Sequence, residues 1–231
     1  MNKINHIGLI LDGNRRFSKK LMKEPWKGHE YGAKKIEELL DWTSEIGIKE
    51  LTLYCFSIEN FNRPEKEFNY LMDLFRKEIP NLISDKRVNE NEIKVNFIGR
   101  IDKFPDDIKE NMINVMEKTK HHNKFILNFA MAYGGRTEII DAVKKIVDET
   151  KQGKISSEDI DEDFFKEYLY LQSEPDLIIR TSGEQRISGF LLWQGSYSEF
   201  CFCKKLWPEF TKEDFVKIID DFKKRERRFG K

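Results

Sequence analysis

The sequence has no net charge and no long apolar run, and each absence excludes a class of function. Lysine plus arginine number 41, as do aspartate plus glutamate, so no global field attracts nucleic acid. Uninterrupted apolar stretches are far shorter than the roughly 20 residues that a membrane-spanning helix needs. We therefore expect a protein that spans no membrane and binds no nucleic acid, and any anion site in it must be local.

Cysteine is also scarce. The three cysteines, Cys55, Cys201 and Cys203, form an odd set without the paired spacing of metal sites, and we expect reduced, buried thiols. The first residues, Met1 to His6, contain no apolar segment of the kind found in signal peptides. The cytoplasm is therefore the expected compartment.

Apolar segments of strand length alternate with segments of helical periodicity along the whole chain. This alternation predicts one α/β domain over residues 1–231, with a central, mostly parallel six-stranded sheet flanked by helices. The segment between the first strand and a helix at His29–Ile46 is expected to be a lysine-rich connection. Pro80 should kink or divide the helix predicted over residues 65–86. The predicted strands are His6–Leu11, Glu50–Phe56, Ile93–Ile98, Phe125–Ala132, Leu177–Ile179 and Glu199–Cys203.

Polar segments follow four of the predicted strands. They begin at Asp12, Ser57, Tyr133 and Arg180, and parallel strands would bring them to the one sheet edge where ligands bind. The segment Arg180–Ser188 places two arginines and two serines around one glycine. Arginine holds phosphate oxygens bidentately, so this segment predicts a phosphate or diphosphate site; a solvated surface loop is the alternative.

Individual residues in these segments have both a functional and a structural interpretation. Asp12 and Glu199 are candidate ligands for a hard divalent cation. The structural alternatives are a helix cap for Asp12 and a solvent-exposed charge at a strand end for Glu199. Asn60 is suited to proton removal or substrate orientation, or to an ordinary hydrogen-bonded turn. His29 and Arg63 are candidate contacts for a phosphate group. The structural alternatives are a helix cap for His29 and an exposed surface charge for Arg63.

The predicted helix after Pro64 has a broad apolar face that includes Leu71, Phe75 and Ile79. Core packing is the default interpretation of such a face. The wall of an apolar ligand channel is the alternative.

Several longer motifs, in their order along the chain, closely resemble those of the cis-prenyltransferases, the undecaprenyl diphosphate synthase family. The match covers essentially the whole sequence. The motifs are Asp12-Gly-Asn-Arg-Arg16, Phe56-Ser-Ile-Glu-Asn-Phe61 with Arg63-Pro64, Tyr133-Gly-Gly-Arg136, Arg180-Thr-Ser-Gly-Glu-Gln-Arg-Ile-Ser188, Phe190-Leu-Leu-Trp-Gln194, Leu206-Trp-Pro208 and Arg225-Glu-Arg-Arg-Phe-Gly230.

The resemblance implies a homodimeric α/β enzyme that condenses isopentenyl diphosphate onto an allylic diphosphate to make a long polyprenyl diphosphate. It implies Asp12 and Asn60 as catalytic residues, and Asp12 and Glu199 as the Mg²⁺ site. It also implies three sets of substrate-binding residues: Gly13, Asn14, Arg16 and His29 around the allylic diphosphate; Ser57, Glu59, Asn60 and Arg63 in a mobile loop; and Arg180, Arg186 and Ser188 at the isopentenyl diphosphate site. We predict that residues within the same motifs also contact substrate, namely Arg15, Phe17, Ile58, Phe61 and Ile187. The ending Arg228-Phe-Gly230 resembles a motif that reaches a partner's active site.

The sequence departs from the common bacterial pattern at several positions. Arg15 replaces a glycine, and Pro25 occupies the place of a phosphate-binding arginine, for which Arg15 or Lys27 could substitute. The Arg15-Arg16 pair is more similar to archaeal and eukaryotic members, and it leaves the starter open between farnesyl and geranylgeranyl diphosphate. Prenyl transfer to an acceptor other than isopentenyl diphosphate, and a non-catalytic subunit of a prenyltransferase complex, are the alternative functions. A lipid product would imply transient membrane contact.

Overall fold

The computed structural model describes residues 3–225 and contains a six-stranded sheet in which every adjacent pair of strands is parallel. The strand order is β3-β4-β2-β1-β5-β6. The prediction of a central six-stranded sheet is confirmed. The strands are β1 (His6–Ile10), β2 (Glu50–Ser57), β3 (Ile93–Ile98), β4 (Phe125–Tyr133), β5 (Leu177–Arg180) and β6 (Glu199–Phe202).

Eight helices flank this sheet within the described residues 3–225. They are α1 (Asn14–Lys20), α2 (Gly28–Ile46), α3 (Glu65–Ser84), α4 (Lys86–Glu90), α5 (Asp106–Thr119), α6 (Gly135–Lys151), α7 (Glu162–Lys166) and α8 (Lys212–Lys224). A short 3₁₀ turn at Pro25–Lys27 directly precedes α2, and another at Ile58–Asn62 directly follows β2. Among residues 3–225, no helix has the length and apolar character to cross a membrane.

The central strands are apolar because helices cover both faces of the sheet. All five residues of β1 and all four of β5 are buried, as expected for interior parallel strands. Helix α2 presents Leu39 and Leu40 to this core and ends at Gly47, whose φ of 81° is the left-handed conformation that glycine adopts readily. The sheet is therefore a rigid base for the loops at its edge.

One local prediction was wrong, and one of the two alternatives for Pro80 is excluded. The lysine-rich connection contains a helix, α1, that begins directly after Gly13. Phe17 is the only apolar residue among its seven, so the helix has no apolar periodicity that could have predicted it. Pro80 does not divide α3, which continues one further turn to Ser84. A proline removes one backbone donor and clashes with the preceding turn, and near a helix end the surrounding packing can offset that cost.

The order of the strands creates a crevice between β1 and β5. The chain passes from β1 to β2 on one side, and later returns to place β5 on the other side. The loops that leave β1 and β5 therefore diverge at their carboxyl ends. In open α/β sheets, ligands bind outside the strands at such a switch point.

Candidate active site

Asp12 lies at the mouth of this crevice on a rigidly held backbone. Its carbonyl oxygen accepts hydrogen bonds from Thr181 Oγ1 at 2.7 Å and from the Trp207 backbone N–H at 2.9 Å. The next residue, Gly13, has a φ of 114°, and a Cβ there would meet Leu206 Cα at 2.9 Å. Only glycine fits this turn from β1 into α1, and the turn fixes where the Asp12 side chain emerges.

The carboxylate of Asp12 contacts two arginines. Its Oδ2 atom lies 2.8 Å from Arg180 Nη2 and 3.4 Å from Arg16 Nη2. Burial raises the pKa of Asp12, but the hydrogen bond from Arg180 and the charges of both arginines outweigh burial and hold the pKa below its ordinary value. Asp12 is therefore ionised at neutral pH.

Arg180 is the buried residue at the centre of the phosphate site predicted over Arg180–Ser188. Its side chain is 6% exposed. Nη1 donates to Ser188 Oγ at 2.8 Å and to the Arg186 carbonyl oxygen, while the buried Nε has no hydrogen-bond partner. A buried guanidinium with a donor to spare suits an incoming anion.

The remaining predicted residues of the Arg180 loop take different positions. Arg186 is exposed and pairs with Glu184, whereas Ile187 packs against the apolar cluster around Phe190. Ser188 has a φ of 49°, and the adjacent Gly189 carbonyl accepts from Gly135 N–H at 2.8 Å. The segment after β4 thus meets the Arg180 loop, as the sheet topology predicts.

A second cluster of basic groups lies on the other side of Asp12. Arg15 from α1, His29 from α2 and Arg63 from the loop before α3 all approach one carboxylate, that of Glu67. The Glu67 side chain is only 2% exposed. The contact with His29, opposed by burial and reinforced by Arg63 and Arg15, lowers the pKa of Glu67 to about 2. Burial, together with the two arginines, lowers the pKa of His29 and keeps its imidazole neutral.

These basic groups border a polar cavity of about 390 Å³. Seven of the nine lining residues carry polar side chains, and five of those seven are arginine, lysine or histidine. The cavity is lined by Leu11, Asp12, Gly13, Asn14, Arg15, Arg16, Lys19, His29 and Arg63. Lys27, by contrast, pairs with Glu24 at 3.2 Å and is not part of this lining.

An apolar passage begins where the polar cavity ends. A space of about 80 Å³ starts at Asn14, His29 and Gly32, and a larger one of about 200 Å³ continues between α2, α3 and the sheet. Both spaces are lined by Ala33, Ile36, Cys55, Leu74 and Phe75. The face of α3 therefore contributes to the core and also to a channel wall, so both interpretations of its apolar residues apply.

The loop after β2 is closed by its own hydrogen bonds. Asn60 Oδ1 accepts from the Ser57 backbone N–H at 3.0 Å. Glu59 is exposed, Ile58 lies beside Gly134, and Phe61 packs against Phe56 and Phe104 at ring distances of 5.0 and 5.5 Å. Phe17, similarly, stacks edge-on against Tyr31 at 5.2 Å. The two phenylalanines thus contact aromatic neighbours and do not line the polar cavity.

Glu199 lies at the opposite end of the sheet from Asp12. It pairs in register with Leu177 at the start of β5, whereas Asp12 follows Ile10, which pairs with Arg180 at the end of β5. Glu199 and Ile10 are therefore offset by roughly 10 Å along the strands, and Asp12 lies two residues beyond Ile10. Glu199 Oε2 instead contacts Arg225 Nη1 at 2.6 Å. Within one chain, the structure does not bring the two predicted metal ligands together.

The donor set around Asp12 fits a metal shared with substrate. The described residues 3–225 contain no group of three or more histidine, cysteine or acidic side chains that could hold a metal ion. Mg²⁺ characteristically uses one or two carboxylates and completes its shell with water and substrate phosphate oxygens. One carboxylate beside an anion cavity matches that pattern.

Sequence reasoning missed three residues that shape this site: Glu67, Thr181 and Trp207. The four-residue spacing of Arg63 and Glu67 at a helix start was a usable signal for the first. No local signal indicated that Thr181 and Trp207 would hold the Asp12 carbonyl. The predicted Arg228-Phe-Gly230 ending lies outside the described residues.

The chain is similar to known proteins along nearly its whole length. A sequence model described as putative undecaprenyl diphosphate synthase matches residues 10–230. A tritrans,polycis-undecaprenyl-diphosphate synthase (geranylgeranyl-diphosphate specific) of Pyrococcus abyssi is 50% identical over 98% of this chain and 86% of its own length. An isoprenyl transferase of Thermus thermophilus is 45% identical over 98% of this chain and 88% of its own length.

Two solved structures are similar along essentially the whole chain. Lavandulyl diphosphate synthase from Lavandula x intermedia, in complex with dimethylallyl diphosphate, has a TM-score of 0.91 at 31% identity and covers 99% of this chain and 98% of its own. A probable undecaprenyl diphosphate synthase from Campylobacter jejuni has a TM-score of 0.83 at 32% identity, with both chains fully covered.

Proposed function

This chain belongs to the undecaprenyl diphosphate synthase family, and we propose that it extends geranylgeranyl diphosphate with successive isopentenyl diphosphates to a long polyprenyl diphosphate. It is a prenyltransferase that condenses isopentenyl diphosphate onto an allylic diphosphate. The starter is proposed because the similar Pyrococcus abyssi enzyme is described as specific for geranylgeranyl diphosphate. The observation that carries the proposal is a polar, arginine-lined cavity that leads into an apolar channel.

The polar cavity is assigned to the diphosphate of the allylic substrate. Departure of this group develops negative charge on its oxygens, and fixed arginines stabilise such charge in the transition state. Arg15, Arg16 and Arg63 supply that charge, and neutral His29 can donate one hydrogen bond. The prenyl tail would extend past Asn14 into the channel.

The isopentenyl diphosphate is assigned to the neighbouring Arg180 loop. The unpaired Nε of Arg180, the hydroxyl of Ser188 and the exposed guanidinium of Arg186 can receive its phosphate oxygens. Asp12 lies between the two assigned diphosphates and would hold Mg²⁺ together with their oxygens. When bound, Mg²⁺ supplies positive charge for the leaving diphosphate.

The roles of Asn60 and Glu199 stay predictions. The carboxamide oxygen of Asn60 caps its own loop, so participation in proton removal requires the loop to rearrange. Glu199 could join the Asp12 site only from another chain or after a large movement, because the sheet separates them.

A homodimer is proposed for the assembly. Helix α6 buries Ala142 and Ile146 on one face but exposes Ile140, Val143 and Val147, which are spaced as one stripe on another face. A second copy of the chain is the proposed cover for this stripe. Val143→Glu should shift the mass in light scattering to that of a monomer, and an unchanged dimer mass would exclude α6 from the interface.

The proposed location is the cytoplasm, with transient contact at a membrane surface when the lipid product leaves. Leu21 and Met22 follow directly after α1, whose Lys19 lines the polar cavity, and they are 42% and 95% exposed. Lys19, Lys20 and Lys23 adjoin them in the sequence. Such a tip suits an anionic lipid surface. Co-sedimentation with phosphatidylglycerol vesicles, compared with Met22→Glu, tests the contact.

The test of function is a condensation assay with chain-length analysis. Purified protein, Mg²⁺ and labelled isopentenyl diphosphate are incubated in parallel with farnesyl or geranylgeranyl diphosphate. A long ladder that forms preferentially from geranylgeranyl diphosphate is expected. No incorporation from either starter would instead favour a non-catalytic subunit, or prenyl transfer to an acceptor other than isopentenyl diphosphate.

A further inference from the structure

Glu67 is a buried carboxylate that joins basic groups from three separate elements. Its Oε1 atom contacts Arg63 Nη1 and lies 3.8 Å from His29 Nε2, and its Oε2 atom lies 3.6 Å from Arg15 Nη2. Arg63 Nη1 is also 3.5 Å from His29 Nε2. The cluster thus connects α1, α2 and the loop before α3.

The position of Glu67 is behind the wall of the polar cavity. Arg15, His29 and Arg63 line the cavity, whereas Glu67 does not. The Glu67 backbone is fixed in the first turn of α3, where its N–H donates to the Pro64 carbonyl at 2.9 Å. Apart from the through-space effect of its charge, Glu67 can therefore act on a ligand only through the three side chains that it contacts.

We propose that Glu67 is a positioning residue that holds Arg15, His29 and Arg63 in the arrangement that receives the allylic diphosphate. This inference rests on the proposed function of the cavity as a diphosphate site. Two guanidinium groups that share one cavity repel each other, and a common counter-ion removes that repulsion before substrate arrives. Arranging the donors beforehand lowers the free-energy cost of binding and of stabilising the leaving group.

A carboxylate near an anion site also has an opposite effect. Its negative charge repels a diphosphate, so removal of the charge alone would tighten anion binding. Positioning predicts the reverse, because Arg15 is 51% exposed and its long side chain has many rotamers once Glu67 no longer holds it. The two roles therefore predict opposite signs for the same substitution.

The deciding measurement is calorimetric binding of inorganic pyrophosphate to the full-length wild-type protein, Glu67→Gln and Glu67→Asp. Glu67→Gln keeps the shape but removes the charge, and its affinity should fall about tenfold. Glu67→Asp keeps the charge on a shorter stem and should bind with intermediate affinity. Unchanged or tighter binding by Glu67→Gln would overturn the proposal; should that variant not fold, wild-type affinity in Glu67→Asp would do so.

Asp141→Asn is the matched control. Asp141 is a largely buried carboxylate that pairs with Arg100 at 2.6 Å and also accepts from Tyr170, outside the polar cavity. Its substitution should leave pyrophosphate affinity unchanged. Equal losses in both variants would mean that general destabilisation, and not positioning, weakens binding.

Steady-state kinetics supply a second, independent readout. Glu67→Gln should raise KM for the allylic starter and leave KM for isopentenyl diphosphate nearly unchanged, since Arg180 does not contact Glu67. Equal rises in both KM values would contradict the inference. If wild-type protein binds pyrophosphate in a Glu67-dependent way but condenses no substrate, the proposed function fails while the positioning role stands.

Discussion

Asp12 and Arg180 are 168 positions apart in the sequence, yet Asp12 Oδ2 lies 2.8 Å from Arg180 Nη2. The pair spans the crevice between β1 and β5, where the order of the strands reverses direction. The contact places one residue of each proposed diphosphate site against the other. It therefore links the two halves of the proposed reaction through one ion pair.

Asp12→Asn should abolish most condensation activity. The substitution preserves shape but removes the charge proposed to hold Mg²⁺ between the two diphosphates. We expect the rate constant of condensation, measured in a single-turnover assay, to fall about 100-fold or more. Pyrophosphate binding without Mg²⁺ serves as the folding control and should persist. Near wild-type condensation would exclude the assigned role.

Arg180→Lys should selectively weaken the binding of isopentenyl diphosphate. A lysine ammonium is a single point charge and cannot reach Asp12, Ser188 and a phosphate in the fixed geometry of a guanidinium. We expect KM for isopentenyl diphosphate to rise about tenfold with a much smaller change for the allylic starter. A larger effect on the starter would reverse the assignment of the two sites.

Ala33→Phe should shorten the product. Ala33 lines both parts of the apolar channel, so a larger side chain there would block the extending prenyl tail beyond Asn14. The first condensations should proceed, and the ladder should stop early in chain-length analysis. Lys34→Phe, at an exposed neighbouring position, is the control. An unchanged ladder in Ala33→Phe would show that the tail takes another path.

Glu67 should contribute stability that depends on pH. Its pKa is lowered from 4.5 to about 2 in the fold, so the contribution is complete above pH 4.5 and lost as pH falls toward 2. The shift corresponds to about 3 kcal/mol of unfolding free energy. Urea denaturation of wild type and Glu67→Gln should give a difference that shrinks over this window. A constant difference from pH 6 to pH 2.5 would contradict the shift.

Gly28→Ala should destabilise the junction of α1 and α2. A Cβ at Gly28 would meet the Asn14 carbonyl oxygen at 1.9 Å, and backbone cannot move aside as a side chain can. We expect a loss of about 1–3 kcal/mol in urea denaturation, despite the better helix propensity of alanine. Lys34→Ala, on the exposed face of α2, should be nearly neutral. A stabilised Gly28→Ala would mean that the two helices are not closely packed.

The sequence by itself determined the sheet, the family and most of the basic residues at the site. Apolar strands that alternate with amphipathic helices allow few arrangements, and the long motifs around Asp12 and Arg180 carry their chemistry within a short span. The same local patterns missed α1, because its surface is too polar to show a periodicity.

Only the tertiary structure decided which of these residues meet. Register places Glu199 at the far end of the sheet from Asp12, although both looked like ligands in the sequence. Packing turns Phe61 toward Phe56 and brings Glu67 to Arg15 and His29, which lie on two other helices. Contacts between distant segments depend on strand order and side-chain packing, and no local pattern encodes either one.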